Sequence, residues 1–131
     1  MTVPLVMENV VKTYSGNPVL RSVSLCVEQG DFLAVMGPSG SGKSTLLHAA
    51  AGLIGIDSGR IAVDGISLNG MPDGALSGLR RKKIGLIFQS FNLIPNLTLE
   101  ENIMLPLLAG NEKADMELFR RITERLGIAD K

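Results

Sequence analysis

Gly37-Pro38-Ser39-Gly40-Ser41-Gly42-Lys43-Ser44 satisfies the pattern G-x-x-x-x-G-K-[ST] at every required position. Just before it, Phe32-Leu33-Ala34-Val35-Met36 is a continuous apolar run, which predicts a strand covered on both faces. Just after it, Lys43-Ser44-Thr45-Leu46-Leu47-His48-Ala49-Ala50-Ala51 predicts a helix, with Gly52 placed to cap its C-terminus. Strand, glycine loop and helix in direct succession suit an anion site. Glycines let the backbone turn successive N–H groups inward as a nest for phosphate oxygens. Lys43 supplies a point charge for β- and γ-phosphates, Ser44 a hydroxyl for Mg²⁺, and the helix the positive end of its dipole.

Outward from this loop the chain reads as α/β. Residues 5–11 and 19–27 are rich in Val and Leu and flank Thr13-Tyr14-Ser15-Gly16-Asn17-Pro18, which predicts a β-hairpin. A second hairpin is expected around Asp64-Gly65, between the strand residues of 59–63 and 66–68, because Asp-Gly suits a two-residue turn. Residues 73–81 predict a short helix weakened by Gly74 and Gly78, and residues 84–88 a second buried strand ending at Gln89. Residues 97–108 and 112–126 predict helices, the first with Thr98 and Glu101 spaced as a capping box.

Composition bounds the partners. The 131 residues carry 13 basic and 13 acidic side chains, with 45% hydrophobic residues and a mean hydropathy of +0.25. Taken alone, that describes one compact domain whose core needs no disulfide or metal. Zero net charge provides no global field for nucleic acid or an anionic membrane, so any anion must be held locally. The single cysteine, Cys26, lies in an alternating stretch where a small buried side chain is expected, and points to a reducing, cytoplasmic compartment. Residues 1–10 lack a basic leader and a small-residue cleavage site, and the most apolar windows, 46–56 and 103–109, fall short of the ~20 residues a spanning helix needs.

Three features have plain readings. Arg80-Arg81-Lys82-Lys83 reads as a solvated helix end. His48, five residues past Lys43, reads as helix surface or packing. Ile61-Ala62-Val63-Asp64 imitates an apolar strand ending in a Mg²⁺-binding Asp, but the following Gly65 makes it a hairpin.

Residues 37–45, read with Tyr14 upstream and Gln89-Ser90-Phe91-Asn92-Leu93 downstream, resemble the nucleotide-binding domain of an ABC transporter. The stretch IGLIFQSFNLIPNLTLEENIMLPL, residues 84–107, further resembles the lipoprotein-release and macrolide-export type whose permeases are FtsX-like. The resemblance implies a P-loop NTPase of ABC type: a β-hairpin subdomain and an incomplete parallel-sheet core over residues 1–90, then the glutamine loop and the start of a helical subdomain over 91–131. It implies MgATP as ligand, with Tyr14 stacked on adenine, Gly37, Pro38, Ser39, Gly40, Ser41, Gly42, Lys43, Ser44 and Thr45 around the phosphates, and Ser44 and Gln89 on the metal. Lys43 and Gln89 would serve the reaction. It also implies a permease helix docked on the apolar segment that runs through Phe91, Leu93, Ile94, Pro95, Leu97 and Leu99 to Asn102, part of which must serve as core. A second nucleotide-binding domain would complete a homodimer, peripheral on the inner face of the cell membrane, with no nucleic acid involved.

The family's LSGGQ-like signature, the apolar strand ending in Asp-Glu and the switch histidine do not occur between Leu93 and Lys131. Leu76-Ser77-Gly78 echoes the signature but continues Leu79-Arg80 and precedes Gln89. The sequence therefore resembles the first part of a longer domain, expected to bind ATP better than it hydrolyses it and to leave apolar strand edges uncovered. Two alternatives stand beside this reading: a non-catalytic or degenerate nucleotide-binding fragment, and a soluble P-loop NTPase.

Overall fold

The computed structural model describes residues 3–131, which divide between Leu86 and Ile87 into two compact units. Met1 and Thr2, on which part of the reading of residues 1–10 falls, lie outside the described residues.

The first unit is built on a four-stranded antiparallel sheet of order β2-β1-β3-β4. β1 (Leu5–Tyr14) and β2 (Asn17–Val27) form the expected hairpin around a two-residue turn in which Ser15 and Gly16 both have positive φ. β3 (Ser58–Val63) and β4 (Ile66–Ser67) form the second hairpin, with Asp64 and Gly65 at φ 48° and 78°, as a type I′ turn demands. Asp64 thus belongs to a turn, as its sequence indicates.

Side-chain alternation is reset on both long strands. Leu5 and Met7 face the core from β1, but a bulge at Asn9, with φ 48°, brings Val10 inward. On β2, Leu20 faces inward, Ser22 takes φ 57°, and Val23 and Leu25 follow on the same covered face. A one-residue shift moves every later side chain to the opposite face. This overturns the expectation for Cys26: it is exposed, because the reset parity gives the covered face to Val23, Leu25 and Val27.

The core forms where this face meets α1 (Lys43–Ala50). Met7, Val10, Leu20, Leu46, Ala49, Ile61, Val63 and Leu68 are buried together, with Leu76 and Leu79 of α2 (Asp73–Lys83) packed against them. Full burial of a side chain such as Val10 contributes roughly 1.5–3 kcal/mol. The helix α1 ends in a Schellman motif: the Gly52 N–H donates to the Ala49 carbonyl and the Leu53 N–H to that of His48, with Gly52 at φ 63°. The basic end of α2 is partly structural. Arg80 Nη1 donates to the Gly52 carbonyl at 2.7 Å, and Lys83 pairs with Asp64 at 2.9 Å.

In the second unit, α3 (Leu99–Ala109) begins with the expected capping box: the Glu101 N–H donates to Thr98 Oγ1, and the Thr98 N–H donates to Glu101 Oε2 at 2.7 Å. Asn102 braces the segment before it, accepting from the Ile94 N–H and donating to the carbonyls of Ile94, Leu97 and Thr98. α4 (Met116–Arg125) starts four residues later than its polar pattern indicates, because Asp115 caps it by accepting from the N–H groups of Glu117 and Leu118.

Two expected strands are not formed. Residues 32–36 and 84–88 carry no ladder partner among the described residues, and Phe32, Met36 and Ile87 are almost fully exposed, at 95%, 89% and 99%. The sheet is accordingly antiparallel throughout, without the parallel pairing expected of the core. A strand covered on both faces exists only through hydrogen bonds to neighbours on each side; apolar composition marks residues suited to that setting and does not provide it.

Candidate phosphate-binding site

The loop, residues 37–42, is wound so tightly that its glycines are needed for separate reasons. At Gly40, φ is +80° with open space around the α-carbon, so the requirement is conformational. At Gly42, φ is +91° and a β-carbon would also meet Val19 Cγ1 at 3.0 Å and the Val19 carbonyl oxygen at 3.2 Å. At Gly37 a β-carbon would lie 2.8 Å from Ser41 Oγ. The Ser41 N–H closes a turn onto the Pro38 carbonyl at 3.3 Å.

Lys43 folds back across this loop. Its Nζ donates to the carbonyls of Gly37 at 2.9 Å and Pro38 at 2.7 Å and lies 3.5 Å from Ser41 Oγ. Gly42 is the N-cap of α1 and offers no side chain to the first-turn N–H groups. That turn holds the side chains of Ser44, exposed, and Thr45, half-buried. N–H groups at a helix start, a neighbouring ammonium and an exposed hydroxyl are groups of the kind that bind anions.

Tyr14 ends β1 as an exposed residue, and Lys12 Nζ lies 5.3 Å from its ring centroid, within cation–π range. Asp57, just before β3, holds this strand end. Its N–H donates to the Val11 carbonyl at 2.9 Å, its Oδ2 accepts from the Thr13 N–H at 2.6 Å, and its Oδ1 pairs with Lys12 Nζ at 3.3 Å. The Thr13 backbone hydrogen bond holds the Asp57 carboxyl below its ordinary value; desolvation, the next largest effect, opposes it, and the hydrogen bond and charge of Lys12 lower it further.

Arg21 of β2 lines a cavity of about 430 Å³ with Pro18, Val19, Val23, Gly40 and Ser41, and its Nε donates to the Pro18 carbonyl at 3.3 Å. Neither Arg21 nor Asp57 stands out in the sequence: a lone charged residue in a strand or turn has no signature, and Asp57 meets Thr13 across 44 positions. Gln89 lies in the second unit, exposed and outside any helix or strand, as do Phe91, Leu93 and Ile94, at 92%, 59% and 42% exposure. Among the described residues no helix is long and apolar enough to cross a membrane.

A strand hairpin, a phosphate-type loop capping a helix, and a tyrosine at a strand end define a nucleotide-binding cassette fold, and the chain belongs to the ABC transporter family, whose model matches residues 20–131. The chain is 41% identical over 129 residues, 95% of its length, to the ABC transporter ATP-binding protein YxdL of Bacillus subtilis, of which it covers 50%. It is 43% identical over 115 residues, 84% of its length, to the lipoprotein-releasing system ATP-binding protein LolD of Cereibacter sphaeroides, of which it covers 51%. Among solved structures, it resembles the ATP-binding cassette MJ0796 of Methanocaldococcus jannaschii in a dimeric post-hydrolysis state bound to ADP and Pi, with TM-score 0.78, 42% identity and coverage of 84% of this chain and 49% of that one. The chain spans about half the length of the curated relatives it matches.

Proposed function

We propose that this chain is the nucleotide-gripping part of an ABC transporter ATPase that binds MgATP to drive an exporter with an FtsX-like permease. The observation that carries the reading is Lys43 on the carbonyls of Gly37 and Pro38. Phosphate oxygens are charged acceptors and outcompete neutral carbonyls for an ammonium, so a phosphate chain can draw Lys43 off the loop without building a new site. The loop fits the ligand: positive φ at Gly40 and Gly42, with a β-carbon at Gly42 crowded against Val19, favours glycine there and keeps backbone, not side chains, at its surface.

In this reading residues 37–45 hold the phosphates, Tyr14 stacks on adenine, and the Ser44 hydroxyl and the Gln89 amide oxygen bind Mg²⁺, a hard cation that prefers oxygen ligands. The metal, when bound, neutralises charge on the β- and γ-phosphates. Lys43 places its charge on the same oxygens. Between Leu93 and Lys131 there is no Asp-Glu pair after an apolar strand to orient an attacking water, so residues 1–131 bind better than they turn over. The exposed Phe91, Leu93 and Ile94, braced through Asn102, offer an apolar surface to a permease helix. A second nucleotide-binding domain completes the working assembly, a reading supported by the dimeric MJ0796 cassette. Attachment to the inner face of the membrane then runs through the permease.

The test is the rise in melting temperature with MgATP. At a hundredfold excess over the dissociation constant, binding adds about 2.7 kcal/mol to the folded state. Lys43→Ala removes most of that rise. An undiminished rise in the variant overturns the assignment of the loop.

A further inference from the structure

Tyr14 is placed awkwardly for a residue proposed to receive a nucleobase. It is the last residue of β1, paired only with Asn17 across a tight turn, and the β1–β3 ladder has already ended at the pair Val11 and Ser58. Three residues, Lys12, Thr13 and Tyr14, therefore extend beyond the support of β3. Asp57 takes over where the ladder stops: its own N–H bonds the Val11 carbonyl, and its carboxylate accepts the Thr13 N–H at 2.6 Å and the Lys12 ammonium at 3.3 Å. Those contacts fix the backbone immediately before Tyr14 and aim the Lys12 charge at the Tyr14 ring.

We infer that Asp57 is a positioning residue for nucleobase binding: by holding Thr13 and Lys12, it sets the angle of the Tyr14 ring and commits one ring face to Lys12, leaving the other for a purine. The inference rests on the proposed stacking role of Tyr14. A surface ion pair alone stabilises little; here the carboxylate also replaces a backbone acceptor, and a charged acceptor gives a shorter, stronger bond. The cation on one face also limits ring rotation at a site that is otherwise half open to solvent.

The test compares dissociation constants for MgATP and for inorganic tripolyphosphate, which has no base, in the full 131-residue chain and in Asp57→Ala, Asp57→Asn, Tyr14→Ala and the Asp57→Ala/Tyr14→Ala double variant. Asp57→Ala is expected to weaken MgATP roughly three- to tenfold, within the range of one aromatic contact, and to leave tripolyphosphate unchanged. In the Tyr14→Ala background the same substitution is expected to change nothing, and Asp57→Asn, which keeps an acceptor for Thr13, is expected to recover part of the loss. A general structural role would weaken both ligands and act whether or not Tyr14 is present. Equal weakening of both ligands, an unchanged MgATP constant, or effects that add across the pair each overturn the inference. If Asp57→Ala fails to fold, Asp57→Asn decides by the same ratio of the two ligands. Tyr14→Ala without effect on MgATP instead removes the stacking role itself.

Discussion

Gly59, next to the Asp57 latch, supports the sharpest test of the fold that carries Tyr14. The residue sits at φ +93°, and a β-carbon built on it would lie 2.6 Å from the Glu8 carbonyl oxygen and nearer still to that of Asn9. These are backbone atoms of the β1 bulge, where the Asn9 N–H is already bonded to Ser24 Oγ at 2.8 Å, so no side-chain rotation relieves the overlap. Gly59→Ala therefore meets two costs. Left-handed backbone costs a non-glycine residue about 1–2 kcal/mol, and forcing extra volume into a packed place costs about 1–3 kcal/mol. The stiffer unfolded chain returns about 0.4–1 kcal/mol. The net loss is about 3 kcal/mol, a large part of the ~5–15 kcal/mol that holds a domain together, and corresponds to a fall of roughly 10 °C in melting temperature. Urea unfolding followed by far-ultraviolet circular dichroism is the assay, with the midpoint expected to fall at constant slope. Gly78→Ala is the control: it lies inside α2 with nothing near its α-carbon and no left-handed φ, and should stabilise by up to ~1 kcal/mol. A Gly59→Ala protein within ~0.5 kcal/mol of the parent, the range of ordinary surface substitutions, would refute the argument that the bulge and Gly59 are packed backbone to backbone.

Thr98→Ala should destabilise α3 by about 1 kcal/mol through loss of the Thr98 Oγ1 acceptor of the Glu101 N–H, read as faster amide exchange in the first turn; unchanged exchange would show that half of the box to be idle. Asp57 is held below its ordinary carboxylate value when folded, so its contribution to stability is complete above the unfolded value, near ~4, and is lost as pH falls through the folded one. The parent should accordingly lose melting temperature more steeply than Asp57→Asn on acidification below about pH 4; parallel slopes would sink the assignment. Cys26 should react with a thiol reagent in the native protein at the rate of an exposed side chain; protection released only by denaturant would contradict the strand parity set by Ser22.

What could be read from sequence here divides by distance along the chain. The two tight turns, the Thr98–Glu101 box, the Gly52 cap and the glycine-rich loop are each set by residues a few positions apart, and the turns, the box and the cap form as their sequences indicate. Cys26 is exposed against its local pattern because burial depends on which face a strand presents, and one bulge residue, Ser22, reverses the face for everything after it. Residues 32–36 and 84–88 show the stronger form of the same limit. Their apolar runs are appropriate to buried strands, but among the described residues they form no ladder, and composition alone cannot supply one.

The same division runs through the candidate site. Lys43 reaches carbonyls five and six residues away, so its role is contained in a motif eight residues long. Tyr14 depends on Asp57, brought to it by the β1–β3 pairing across more than forty positions. The loop proposed to grip phosphate is thus a local device that folds back on itself, whereas the ring proposed to grip the base borrows its position from the sheet. It follows that damage to the sheet, as in Gly59→Ala, should erode discrimination between MgATP and bare tripolyphosphate before it erodes phosphate binding itself. Damage to the loop, as in Lys43→Ala, should remove both.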